Sequence, residues 1–269
     1  MQRLKARKRL GQHFLVDSNI ARKVVRALDV QPDDVILEIG AGQGALTRHL
    51  LGRPRFLVLV EIDPRAVQIL RSEFTEETTK LIQQDFLEFD LRRCAEEYGG
   101  KLRVVGNLPY NITSPILFRL IDACEVIQDA TLMVQLEVAQ RIVARPRTKD
   151  YGILSVFCQY YSRPRLLFKV SPNAFSPRPN VQSGMLRLDF SGRPSFPLKD
   201  DELFRKVVRS TFGKRRKTLL NGLRYAEIPV TDANVRKRLT IDLSRRPEDL
   251  TVEEFVQLTN EISDCLEHG

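Results

Sequence analysis

Five short apolar runs, alternating with stretches of helical spacing, constrain this chain more than any other feature of its sequence. Val35 to Ile39 is apolar apart from Glu38, Phe56 to Val60 forms a second run, Leu81-Ile82 a third, Leu102 to Val105 a fourth and Thr131 to Leu136 a fifth. Asp17 and Ser18 can cap a helix from Asn19 to Leu28, with Ile20, Val24, Val25 and Leu28 at helical spacing. After "GAGQG" a helix places Leu46 and Leu50 on one face, and another from Pro64 carries Val67, Leu70 and Arg71. Strands with one wet face would alternate apolar and polar residues. Strands apolar on both faces belong to a parallel sheet with helices on both sides, the α/β class.

After residue 150 the pattern changes. "YGILSVFCQYY" reads as a helix, while "RLLFKV" and "GMLRLDF" are strand-like runs flanking "SPNAFSPRPNVQS" and are expected to pair as a final hairpin closing the sheet. The segment from 191 to 201, with Gly192, Pro194 and Pro197, reads as a linker. Beyond it the patterns are helical: Leu203 to Phe212, Arg216 to Leu223, Asn234 to Leu239 and Pro247 to Leu266. The expected division is a sheet domain over 1–192, including a basic N-terminal arm, and a small all-helical domain over 193–269.

At 269 residues with 42% hydrophobic and 29% charged side chains, the chain can bury a full core. No apolar run approaches the roughly 20 residues of a membrane span, and "MQRLKARKRLGQHFL" lacks the apolar core of a signal peptide. The cytoplasm is the expected compartment. Cys94, Cys124, Cys158 and Cys265, like His13, His49 and His268, are too scattered to signal a disulfide framework or a metal site, so no metal is expected.

The net charge of +9 points to a polyanionic partner. Its distribution is uneven. Arg3, Lys5, Arg7, Lys8 and Arg9 stand in an acid-free start, and Arg205, Lys206, Arg209, Lys214, Arg215, Arg216 and Lys217 form a second acid-free cluster. Lys214 to Lys217 are the expected RNA-binding residues, through phosphate contacts.

"EIGAGQGALT" follows the first strand and opens a helix, so Gly40, Gly42 and Gly44 sit where an α/β sheet meets its ligand. The string fits both the dinucleotide fingerprint and the loop of S-adenosylmethionine-dependent methyltransferases. Glu61 ends the second strand 19 residues after Gly42, the place of an acid that accepts ribose hydroxyls. Asp63, before Pro64, already serves as the helix cap. Asp85 ends the third strand in "IQQDF", where a carboxylate could accept the amino group of an adenine ring. Glu38 either organises the loop by accepting backbone N–H groups or is a partly exposed strand end.

The fourth strand runs into Asn107-Leu108-Pro109-Tyr110. "NLPY" at this point resembles methyltransferases acting on the exocyclic amine of adenine. The longer stretches "RKRLGQHFLVD", "EIGAGQGALT", "QQDF", "GNLPYNITSPIL", "YGILSVFCQYY", "AFSPRPNVQS" and "FGKRRKTLLNGL" are similar to the KsgA-type ribosomal RNA adenine dimethyltransferases, in chain order from about residue 7 to residue 263. The resemblance implies a Rossmann-like class I methyltransferase sheet with a small C-terminal helical domain. It implies S-adenosylmethionine as the methyl donor, with His13, Leu15, Gly40, Gly42, Glu61, Asp85 and Asn107 contacting it; the family often has Asn at position 13. The substrate implied is small-subunit (16S) ribosomal RNA in a late assembly particle, at two adjacent adenines near the 3′ end, each methylated twice.

The chemistry accounts for the residue types. An aromatic amine is a poor nucleophile because its lone pair is delocalised into the purine. If the Asn107 side-chain carbonyl and the Leu108 main-chain carbonyl each accept one N–H, the nitrogen is drawn toward tetrahedral geometry and its lone pair is freed for the methyl carbon. Pro109 stiffens the turn and Tyr110 can stack on the base. Phe175 in "NAFSPRPNV" is the implied second aromatic wall. The target adenine must be extruded or already unpaired. Three alternatives stay open: an erythromycin-resistance type large-subunit (23S) RNA methyltransferase, a nicotinamide-dependent oxidoreductase, and a ribosome-assembly factor whose main task is RNA binding. A monomer is expected, since the charged tail offers no heptad seam.

Overall fold

The computed structural model describes residues 4–267 except 75, 76, 78, 193–195 and 214–216. Its elements follow in order: β1 (Phe14–Leu15), α1 (Ser18–Leu28), β2 (Val35–Ile39), α2 (Thr47–Leu50), β3 (Phe56–Glu61), α3 (Pro64–Glu73), β4 (Thr79–Gln83), α4 (Leu91–Tyr98) and β5 (Leu102–Asn107). Then come α5 (Thr113–Asp122), β6 (Ile127–Gln135), α6 (Leu136–Ile142), α7 (Ile153–Tyr161), β7 (Arg163–Val170), β8 (Phe175–Ser176) and β9 (Ser183–Asp189). Four helices close the chain: α8 (Asp201–Phe212), α9 (Leu219–Tyr225), α10 (Ala233–Arg238) and α11 (Val252–Glu267).

Seven strands form one sheet in the order β4-β3-β2-β5-β6-β9-β7. The five strands β2 to β6 are parallel, and β9 joins β6 and β7 antiparallel, so the expected hairpin does close the sheet. Strand order reverses between β2 and β5, and ligands of open α/β sheets bind outside the carboxyl ends at such a point. Ile39 at the end of β2 is level with Val60 on one side and Gly106 on the other. A Cβ on Gly106 would stand 2.8 Å from the Ile39 carbonyl oxygen, so glycine lets these strand ends close up. That brings Asn107 beside the glycine loop.

Every residue of β2 is buried, which explains its unbroken apolar run. Helices cover the sheet with one apolar stripe each: Ala21, Val24, Val25 and Leu28 on α1, Ala66, Val67 and Leu70 on α3, and Ile116, Leu117, Leu120 and Ile121 on α5. Asp17 and Asp63 cap α1 and α3 by accepting N–H groups of the first turn. At the opposite end of the sheet from the glycine loop lies a buried ion cluster. Arg103, 3% exposed, bonds Asp34 at 2.6 Å, Asp129 at 2.9 Å and the Leu28 carbonyl, and Arg187 bonds the same Asp129 oxygen at 2.8 Å.

The chain divides into two compact units: the stretch up to Ala139 with Ser162–Gly192, and Gln140–Tyr161 with everything from 193 onward. This corrects the single boundary expected after 192. The reason is packing, because α7 buries Val156 and Phe157 and sets Phe157 edge-on to Phe204 of α8, with ring centroids 5.8 Å apart. In this second unit Phe212 and Phe255 join the same aromatic core. Of the cysteines, Cys94, Cys158 and Cys265 are buried thiols. The expected RNA-binding residues Lys214, Arg215 and Arg216 lie outside the described residues; Lys217 is exposed.

Candidate active site

A cleft of about 270 Å³ opens at the carboxyl ends of β2, β3 and β5. Its wall contains His13, Gly40, Gly42, Glu61, Asp85 and the whole Asn107-Leu108-Pro109-Tyr110 run. These expected site residues come from separate segments of the chain, so strand ends and not sequence neighbours build the wall. A larger groove of about 1000 Å³ lies on the far side of the arm, lined by Lys5, Arg48 and Arg65 among others. Size favours that groove, but the convergent polar groups choose the cleft.

Gly40 has φ +65°, and a Cβ there would meet nothing within 4 Å. A side chain would therefore stand in open space at the loop, where a ligand approaches the backbone. Glu61 is 4% exposed and accepts N–H groups from Gly42 and Asp63, each at 2.8 Å. Burial raises its carboxyl above the usual range, with the Asp63 and Gly42 donors opposing. Asp85 accepts the Leu87 N–H through Oδ1 at 2.9 Å. Ile62, 45% exposed, and Phe86 add apolar surface between these acids. Sequence reasoning missed both, although each directly follows an acid it did identify.

Glu38 is 2% exposed, so the partly exposed strand end is excluded; it accepts a bond from Thr47 Oγ1 at 2.8 Å and so ties β2 to the start of α2. Burial pushes its carboxyl up to about 8, the Thr47 donors opposing and the Glu61 charge adding. The folded protein thus keeps a proton that the unfolded chain releases above about 4.5. Stability falls between those values as pH rises. Glu38→Gln keeps an acceptor for Thr47 and removes the titration. The expected result is that the variant gains stability over the wild type on going from pH 5 to pH 8, on the order of a few kcal/mol, measured by denaturant unfolding at both.

The N-terminal arm is anchored across this cleft. Gln12 donates to Asp63 at 3.1 Å, and Arg65 donates to Asp63 at 2.6 Å and to the Lys5 carbonyl at 3.1 Å. The Arg65 guanidinium holds the buried Asp63 carboxyl down to about 2, so the anchor stays charged at neutral pH. Arg9, Gln12 and Phe14 from the arm also line the cleft, another contribution that sequence reasoning missed beyond position 13.

At the acceptor end, Asn107 Nδ2 donates to the His13 carbonyl oxygen at 2.7 Å. Its own Oδ1 is thereby the side of the amide left to accept. Leu108 N donates to the Met133 carbonyl at 3.0 Å, and the Pro109 carbonyl receives Ile112 N and Thr113 Oγ1. These bonds hold the turn from both sides. The Tyr110 hydroxyl pairs with Ser183 Oγ at 2.7 Å, and burial raises its pKa, so the ring stays neutral and fixed at one end.

Two expected site residues fall elsewhere. Leu15 and Phe175 pair across β1 and β8 and both sit in the apolar cluster with Ala174 and Met185, Phe175 only 4% exposed; neither lines the cleft. The antiparallel register puts Leu15 opposite Phe175, and both side chains are buried in that cluster. The ring set against Tyr110 is instead His13, with centroids 5.5 Å apart and planes at 26°. Among the described residues no group of His, Cys, Asp and Glu could hold a metal ion, and no helix is long and apolar enough to cross a membrane.

Comparison with known proteins agrees with this geometry. The family described as "Ribosomal RNA adenine dimethylase" matches residues 3–264. A protein of Chlorobium phaeobacteroides named "Ribosomal RNA small subunit methyltransferase A" is 45% identical over 258 residues, 95% of this chain and 91% of the relative. One of the same name from Pseudomonas aeruginosa is 41% identical over 261 residues, covering 97% and 96%. Among solved structures, a dimethyladenosine transferase from Plasmodium falciparum shares the fold with TM-score 0.77 at 22% identity, over 94% of this chain and 98% of that one. The 23S rRNA methyltransferase ErmE aligns with TM-score 0.68 at 26% identity, over 93% and 99%. A match that spans nearly the whole chain, around strand ends that present an adenine-amine motif, leaves one conclusion: the chain belongs to the ribosomal RNA adenine dimethylase family.

Proposed function

We propose that this protein dimethylates the N6 amine of two adjacent adenines near the 3′ end of small-subunit (16S) ribosomal RNA, within a pre-ribosomal particle, using S-adenosylmethionine. The relatives' names support the choice of subunit. The observation that carries the reading is the Asn107 amide, fixed by the His13 carbonyl with Oδ1 left to accept, in the same wall as Gly40, Glu61 and Asp85.

The residues present fit the donor. Gly40 gives it open backbone, the Glu61 carboxylate has lone pairs left for ribose hydroxyls beside its two N–H donors, and Asp85 can take the adenine amino group. S-adenosylmethionine, when bound, supplies a methyl group on a sulfonium sulfur that departs as a neutral thioether. The rest is done by this chain. Asn107 Oδ1 and the Leu108 carbonyl oxygen each accept one N–H of the target amine, which localises its lone pair. Pro109 and the bonds around it keep both carbonyls aimed, so little reorganisation accompanies the reaction. Tyr110 offers a stacking face worth on the order of 1–3 kcal/mol. After the first methylation one N–H remains, so a single carbonyl suffices for the second. The released amine proton goes to water, and Asn107 to Tyr110 supply no base.

The test is to incubate the protein with labelled S-adenosylmethionine and unmethylated small ribosomal subunits and to map the label. Dimethyladenine in the small-subunit RNA is expected; label confined to large subunits would replace this reading by the erythromycin-resistance type. The basic run from Lys214 to Lys217 is proposed to grip RNA phosphates. Changing all four residues to Ala should weaken binding at every sequence and lower the salt slope by about 0.7 for each phosphate left without its cation, read from affinities across a salt series. An unchanged slope would make the run an ordinary solvated surface. A protein that binds the particle without methylating it would be an assembly factor. We take a cytoplasmic monomer as the working form.

A further inference from the structure

Residue 13 is joined to the acceptor end of the cleft three times. Its carbonyl oxygen receives the Asn107 amide at 2.7 Å, and its ring stacks on Tyr110. Its Nδ1 lies 2.7 Å from the Pro177 carbonyl oxygen. A carbonyl can only accept, so Nδ1 carries the proton and donates. Tyr110 is held a second time through its hydroxyl to Ser183 on β9. One imidazole therefore binds together three separate segments: the arm, the turn after β5 and the loop after β8. Among the described residues, its side chain makes no hydrogen bond to the glycine loop, Glu61 or Asp85, where the donor's polar groups are expected.

We propose that the His13 side chain is a positioning residue for the methyl acceptor and not a ligand of the methyl donor. The ring pins Tyr110 by one face while Ser183 pins its hydroxyl, so the stacking platform has one orientation. The Nδ1–H bond to Pro177 holds the loop after β8 against that platform. With Phe175 buried in the core, this clasp and not a second aromatic wall shapes the place where the target base docks. The proposal rests on the adenine-amine reading of the cleft, and it separates the two ends of the site: the strand ends β2, β3 and β4 serve the donor, and the arm serves the acceptor through position 13.

The experiment compares His13→Ala and His13→Asn with the wild type. Asparagine retains an N–H donor for Pro177 and tests whether the loss follows from that bond or from general loosening. S-adenosylmethionine affinity is measured by calorimetry, and kcat and KM for unmethylated small subunits by methyl incorporation. For His13→Ala, kcat/KM toward RNA is expected to fall at least tenfold while the cofactor Kd stays within about twofold. His13→Asn is expected to recover most of the loss. A tenfold weaker cofactor Kd with RNA parameters unchanged would overturn the proposal and return His13 to the donor site. Unchanged kcat/KM in His13→Ala, or no recovery in His13→Asn, would overturn it as well. If the wild type labels large subunits instead, the substrate reading fails separately, and the same comparison on that RNA decides the clasp.

Discussion

Asn107→Ala lowers the rate of methyl transfer by about 10²–10³-fold, the loss seen when one preorganised hydrogen-bonding group is removed from a reacting centre. Two effects combine. The acceptor for one amine N–H is gone, and so is the bond that ties β5 to the arm at His13. The side chain is half-buried at the end of a strand whose preceding residues are buried, so the sheet itself is unaffected and circular dichroism should not change. Single-turnover incorporation of labelled methyl, with the cofactor saturating, isolates the chemical step. Undiminished turnover in a folded variant would remove Asn107 from the mechanism, and with it the reason for reading this cleft as an adenine-amine site.

The second large effect lies far from the chemistry. Arg103→Ala is expected to destabilise the first unit by about 3–5 kcal/mol, because it leaves Asp129, 1% exposed, without its main partner. For a unit of this size that corresponds to a fall in Tm of roughly 6–20 °C. The cost is one of desolvation, since the Asp129 charge cannot reach water and Arg187 alone remains to oppose it. Adding Asp129→Asn to Arg103→Ala should recover part of the loss, as a neutral amide needs no counter-ion. Thermal unfolding of the single and double variants measures both. A loss below about 1 kcal/mol would show the cluster to be no stronger than a surface pair.

Much of this molecule was legible from its sequence, for identifiable reasons. The limits of β2 follow from five buried residues in a row between an acidic turn and a glycine, and α1 and α3 from aspartate caps that the structure uses. Strand-end residues such as Gly40, Glu61, Asp85 and Asn107 were legible because parallel sheets gather ligand groups at one edge. What was not legible depends on contacts between distant segments. Phe175 and Leu15 were assigned to the site from motif position alone, and only the β1–β8 register shows that they are core. The ion cluster of Arg103, Asp34, Asp129 and Arg187 has no local signature, since each residue is unremarkable in its own strand or turn. The placement of α7 with the second unit was hidden for the same reason: an apolar helix does not say which core it will join.

The small ribbon of β1 and β8 has a temporal meaning as well as a spatial one. Leu15 and Phe175 are neighbours in space but 160 positions apart along the chain. During synthesis the arm emerges first and the glycine loop soon after, while the strand that secures the arm is among the last parts of the site to arrive. Pairing across so long a separation is slow, because the intervening chain must be ordered before the two strands can meet. A nascent or truncated chain ending before β8 would carry the glycine loop and Asn107 yet lack both the ribbon and the Pro177 loop. Activity should therefore appear only once the whole sheet is closed, making methyl transfer a report on completed folding of the enzyme.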